Sequence, residues 1–163
     1  MIVYHGSLEI VRNPDISHSL RNLDFGKGFY VTSVKEQAEK WAARKADLLN
    51  KTHGIINVYQ FRDPDETCRI KEFADDLYEW IDFVCACRDG SLIYQDYDII
   101  KGKVADDKVY RVVNFYHLGI WEKERAIQEM KAYETFDQYA FITQNTIDHL
   151  LTFKSSYEVP YDR

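Results

Sequence analysis

Two short stretches decide how this chain reads: Tyr4-His5-Gly6-Ser7, and Asp24-Phe25-Gly26-Lys27-Gly28-Phe29-Tyr30-Val31-Thr32. The first continues Ile2 and Val3 as a strand that runs into an imidazole and a glycine. The second is a glycine turn that launches another strand. A strand end that sets a histidine beside a residue without a side chain suits the gripping of a flat polar ring. Glycine lets a ligand reach the main chain, whose N–H and C=O then pair with an amide. Two such ends from separate segments can form one cleft. The Gly26-Lys27-Gly28 run is neither a dinucleotide fingerprint nor a phosphate loop, because no third glycine and no Gly-Lys-Ser/Thr follows at the required spacing. Alone it is a tight turn before a strand.

The 163 residues suit one domain, 1–163, with a hydrophobic core, and the chain is rich in aromatics, with 12 Tyr and 9 Phe. A net charge of −6 argues against non-specific nucleic-acid binding, which needs a basic field to displace counterions from phosphates. Three cysteines give no paired framework and suit a reducing cytosol. Cys85 and Cys87 lie two apart on an expected helix, so they face different ways and read as small buried hydrophobes. The five histidines, at 5, 18, 53, 117 and 149, lack zinc-type spacing, so no metal is expected. No apolar run is long enough to span a bilayer, and Met1 to His5 shows no signal-peptide pattern. The expectation is a cytoplasmic protein without a membrane partner.

Along the chain, residues 8–23 read as a loop around Asn13-Pro14-Asp15. A helix is expected from Ser33, with Val34, Ala38, Trp41, Ala42 and Leu49 on its apolar side and Ser33 and Glu36 as a capping box. Residues 55–61 read as a buried strand, Asp63-Pro64-Asp65 as a turn, and Phe73, Leu77, Ile81 and Val84 as one helix face ending near Gly90. A strand is expected from Tyr97 to Val104, interrupted at Gly102, and a helix from about Trp121 to Tyr133. A strand at 139–142, a short helix at 146–151 and a closing strand at 151–157 complete the reading. Strands and helices mix without regular alternation, so the class is α+β.

The two opening motifs resemble those of the ADP-ribosyltransferase superfamily, in its histidine-tyrosine-glutamate branch of diphtheria-toxin and poly-ADP-ribose-polymerase type. More specifically, the chain looks like a family of small bacterial domains of unknown function placed there. That likeness takes in Tyr97-Asp98-Ile99-Ile100 with Gly102, Ala105 to Val109, and Gln138-Tyr139-Ala140-Phe141. It implies a split β-sandwich of two small curved sheets with flanking helices and NAD in the cleft between them. It also implies mono-ADP-ribosyl transfer from NAD to a protein or nucleic-acid acceptor. A toxin or defence effector with an antitoxin or regulatory partner fits by analogy.

By that resemblance His5 bonds a ribose hydroxyl of NAD and Gly6 offers its backbone to the nicotinamide carboxamide. Ser7 adds a polar contact, and Gly28, Phe29 and Tyr30 line the cofactor. On the residues alone, His5 is either a core histidine or a cleft residue, and Tyr30 a core aromatic or a stacking one. Trp41 stands in for a second stacking tyrosine or belongs to the core. Active relatives carry a glutamate where this chain has Gln138. The glutamate binds the ribose and stabilises the cation that forms as nicotinamide leaves. Glutamine keeps hydrogen bonds but loses the charge and cannot act as a base.

Two rescues follow from that loss: an acceptor that is already an anion, or another acid. Asp24, Asp137, Asp106 and Asp107 are the candidates. Asp24 alternatively caps the glycine turn, Asp137 points away from Gln138 by strand alternation, and Asp106-Asp107 alternatively form a solvated turn. Arg88 either meets a pyrophosphate or closes its helix against the dipole. The rival to the enzyme is a weak or inactive NAD- or ADP-ribose-binding module that acts through a partner.

Overall fold

In the computed structural model the described residues are 1–18, 23–104, 107–133 and 136–160. They form an α+β fold. The strands are β1 (Ile2–Ser7), β2 (Phe29–Val31), β3 (His53–Phe61), β4 (Ile70–Glu72), β5 (Ile99–Lys103), β6 (Asp137–Phe141) and β7 (Leu151–Pro160). The helices are α1 (Lys35–Leu48), α2 (Tyr78–Arg88), α3 (Asp107–His117), α4 (Lys123–Met130) and α5 (Gln144–Leu150), with 3-10 turns at Ile16–His18 and Ile93–Asp96. The strands make two sheets, ordered β1-β3-β7 and β2-β6-β5-β4, antiparallel except where β4 runs parallel to β5.

Period-2 alternation decides which side of the four-stranded sheet each residue serves. Phe29, Val31, Ile99 and Phe141 meet Val3, Tyr59, Phe61 and Leu151 of the three-stranded sheet, so the two sheets share one apolar interior. Ile100 and Ala140, with Tyr30 half-buried beside them, face the opposite way, into a second core supplied by α2, α3 and α4. On the outer side of the three-stranded sheet, Ala38 and Ala42 of α1 pack on Ile56. That approach depends on missing side chains: a Cβ at Gly6 would lie 2.5 Å from the Ala38 carbonyl oxygen, and one at Gly54 would lie 2.6 Å from that of Ala42. A pair of backbone bonds, Tyr4 N to Thr32 O at 2.8 Å and Thr32 N to Tyr4 O at 2.9 Å, ties β1 to the end of β2.

Several local expectations need correction. The Ser33–Glu36 capping box does not form; Val34 occupies the cap position, and Thr32 Oγ1 accepts its N–H at 3.1 Å. The buried stripe of α1 is Gln37, Ala38, Ala42 and Ala46, leaving Trp41 half-buried and Leu49 60 % exposed. Helix α2 begins at Tyr78, not Phe73. Leu77 just before it holds a left-handed φ of 67°, a strained conformation that its burial in the helix-side core maintains. Phe73 reaches that same core from the end of β4, so its helical spacing from Leu77 is coincidental.

The end of α2 fits the expected glycine stop. Gly90, at φ 93°, donates to Cys87 O, and Ser91 donates to Ala86 O. The turn after β3 forms from Asp65 to Cys68 and not over 63–65, with Asp65 O accepting from Cys68 N at 3.2 Å and Asp65 Oδ1 from Thr67 N at 2.9 Å. Strand β5 is continuous through Gly102, where a Cβ would sit 2.7 Å from the Phe25 ring. Strand β4 and helix α3 are additions. The first is three residues at a sheet edge. The second buries Val109, Val112 and Val113, whose β-branched side chains favour strands while their spacing is helical.

Candidate functional site

The strand ends bring segments distant in sequence side by side. β2 pairs with β6 so that Tyr30 lies opposite Ala140, and β5 pairs with β6 so that Gly102 lies opposite Gln138. Thr32 Oγ1 donates to Asp137 O at 2.8 Å, joining the end of β2 to the start of β6. His5, Tyr30 and Gln138 therefore stand on the successive segments β1, β2 and β6.

His5 is 6 % exposed, its ring stacked on Phe29 with centroids 4.3 Å apart. Its Nδ1 lies 2.7 Å from Tyr30 O, and since a carbonyl only accepts, Nδ1 carries the proton. Gly6 O accepts from Lys45 Nζ at 2.8 Å, so this carbonyl already has a charged donor, and the glycine has a packing role beneath α1. Ser7 is buried, and its Oγ accepts from Glu9 N at 3.4 Å. Gly28 leaves room for the Phe141 carbonyl, which a Cβ would approach to 2.6 Å. Phe29 is wholly buried between the sheets, so it supports the site from behind through His5.

Tyr30 closes the glycine turn: its hydroxyl accepts from Phe25 N at 2.9 Å and donates to Gly26 O at 2.6 Å. Burial, reinforced by the Asp24 charge, raises its pKa well above the ordinary phenol value. The hydroxyl thus stays neutral and serves as a structural bridge. Gln138, 4 % exposed, directs its amide nitrogen to Asp24 Oδ2 and to Lys103 O, each at 3.2 Å. Lys103 O also accepts from the Trp80 indole at 3.0 Å.

Asp24 belongs to this network. Arg88 Nε donates to its Oδ1 at 2.9 Å, a second guanidinium nitrogen contacts the same oxygen, and the guanidinium lies over the Tyr110 ring. Arg88 stands in the last turn of α2, where the helix-closing reading puts it, and its side chain in addition pairs with a buried carboxylate, so Asp24 is more than a turn cap. Asp137, by contrast, pairs with Lys103 Nζ at 3.3 Å at a half-exposed position, on the side of β6 opposite Gln138. Asp106 lies outside the described residues, and Asp107 opens α3.

Sequence reasoning missed the Asp24–Arg88–Gln138 association. Its members are separated by 64 and 114 residues, and no local pattern links them. A cleft of about 120 Å³ lies beside the network, lined among others by Glu72, Asp75, Lys101, Lys103 and Asp137. That is well below the roughly 300–1,000 Å³ of a pocket that encloses a small-molecule ligand, and none of His5, Gly6, Tyr30 or Gln138 lines it. Among the described residues no His, Cys, Asp and Glu side chains cluster to hold a metal, and no helix is long and apolar enough to cross a membrane.

Residues 1–153 match the family described as "Protein of unknown function (DUF3990)", and the chain belongs to that family. No curated protein matches it significantly.

Proposed function

We propose that this chain is a NAD-binding domain of ADP-ribosyltransferase type that transfers ADP-ribose to a macromolecular acceptor. The observation that carries the reading is the placement of His5, Tyr30 and Gln138, from three distant segments, on the successive segments β1, β2 and β6. In the reaction the bond between the nicotinamide nitrogen and the ribose C1′ breaks, and its electron pair leaves with nicotinamide. A nucleophile of the acceptor then bonds to C1′. Gln138 holds the ribose by hydrogen bonding, and His5 orients the adenosine half. The small cleft at Lys101 and Lys103 is not the seat of the dinucleotide, which lies along the strand ends.

Asp24 is the rescue acid that this arrangement favours, because its carboxylate stands 3.2 Å from the Gln138 amide. Its ion pair with Arg88 favours the second reading, a binding module for NAD or ADP-ribose with little turnover, since the guanidinium offsets most of the charge that would stabilise the departing state. Incubating the pure protein with NAD and cell lysate, then measuring released nicotinamide and labelled acceptor, separates the two. Release above buffer supports the enzyme, whereas NAD binding without release supports the module. Substituting His5→Ala should weaken NAD binding by about five- to a hundred-fold, as expected for loss of one buried hydrogen bond. Unchanged affinity in a folded variant returns His5 to the core.

A further inference from the structure

The Gln138 side chain has two N–H donors and one acceptor oxygen. Its nitrogen faces a carboxylate oxygen and a backbone carbonyl, Asp24 Oδ2 and Lys103 O, both at 3.2 Å. Neither partner donates, so the amide is held in one orientation: reversing it would set three oxygens against one another. With both donors committed on one side, the carbonyl oxygen is the atom left for a ligand, and it only accepts. A glutamine so held offers the same acceptor geometry as one oxygen of a glutamate. The negative charge sits one residue further out, on Asp24. The clamp is itself braced: Trp80 Nε1 also donates to the Lys103 carbonyl, and Arg88 donates to the other oxygen of Asp24.

We infer that Asp24 and Gln138 act as one transposed acid–amide unit, in which Asp24 is a positioning residue that locks the Gln138 carbonyl oxygen toward a hydroxyl-donating ligand. The ligand side rests on the NAD-site reading above; the lock itself does not. One consequence is that Gln138→Glu alone does not restore an ordinary catalytic site, because it sets two carboxylates against each other beside a backbone carbonyl. The pair should instead be exchangeable: Asp24→Asn together with Gln138→Glu returns the charge to position 138, and the new carboxamide at position 24 supplies the donor.

The test compares the natural protein, Asp24→Asn, Gln138→Glu and the double variant, using ADP-ribose as the probe in calorimetry at pH 7. Thermal melts establish that each is folded. Each single substitution should weaken ADP-ribose by about tenfold or more, the effect of one misplaced hydrogen bond in a buried site, and the double variant should recover part of that loss, the Lys103 carbonyl still facing an oxygen at position 138. Rescue is the readout that a merely structural Asp24 would not give. Unchanged affinity in Asp24→Asn, or a double variant no better than the worse single one, overturns the inference while leaving NAD binding intact.

The lock also has a readout without ligand. In the natural protein both side-chain amide protons of Gln138 should be protected from solvent exchange in nitrogen-15 NMR, and Asp24→Asn should expose them. Rapid exchange in the natural protein overturns the lock. If the natural protein binds neither NAD nor ADP-ribose, the site reading and the ligand side of this inference fail together. Protected amide protons would then support only a structural lock.

Discussion

The two faces of the four-stranded sheet are built on different principles. Toward the three-stranded sheet it presents Phe29, Val31, Ile99 and Phe141, an apolar and aromatic surface whose polar neighbours include the His5 ring stacked on Phe29 and the buried Asn57 opposite His5. Toward α2, α3 and α4 it presents Ile100 and Ala140 alongside Tyr30 and Gln138, and that side also admits Asp24 and Arg88. A buried ion pair is weak evidence of stabilisation, since desolvation offsets much of its attraction. The inter-sheet face therefore has the composition expected of a structure-holding core. The helix-side face keeps charged groups at the place where the sequence motifs put the chemistry.

Breaking each face in turn sharpens this contrast. The largest effect should come from Trp80→Ala. Trp80 is 1 % exposed and its indole braces the Lys103 carbonyl, so the loss should be about 3–5 kcal/mol in urea unfolding. Phe29→Ala should cost a comparable amount. Only the Trp80 variant should also disturb the Gln138 side-chain amide signals; equal disturbance by both would mean that the faces are not independent. Next comes Arg88→Ala, which removes the guanidinium from a carboxylate that is 9 % exposed. Because Arg88 itself is 30 % exposed, the expected loss is about 2–3 kcal/mol, below that of a fully buried pair. A neutral result would remove the ion pair from the account of this face.

The smallest effect concerns reactivity. Burial pushes the Cys87 thiol up to about 12 and the Cys85 thiol up to about 11; it raises the Cys68 thiol too, but Cys68 is only half-buried, beside the inter-sheet core, and so within reach of a reagent. A disulfide-exchange reagent at pH 8 should label one thiol in the native protein and three after denaturation. Native labelling of either α2 cysteine would show that the helix-side core opens readily.

Much of the fold was legible in the chain. The glycine turn before β2, the density of Ile, Val and Tyr in β3, and the Gly90 stop of α2 are local signals with local causes. Where reading failed, a tertiary requirement had taken over. Phe73 looked helical because the same core buries it from the end of a strand, and the expected capping box gave way to Thr32, which the β1–β2 junction holds at the helix entrance. Helix α3 was given no assignment although its valines carry a helical period, because β-branched residues weaken the helix signal.

For the candidate site, the sequence by itself determined which residue types are present: a histidine and glycine at one strand end, a tyrosine after the glycine turn, and a glutamine where a glutamate is expected by resemblance. Local chemistry and spacing suffice for that much. Only the tertiary structure decided that the glutamine has a carboxylate partner, that this carboxylate is Asp24, and that Arg88 rather than a ligand holds its other oxygen. The physical reason is range. Propensity and period act over one or two turns, whereas Gln138 and Asp24 are 114 residues apart and meet only because β6 and the glycine turn flank the same helix-covered core.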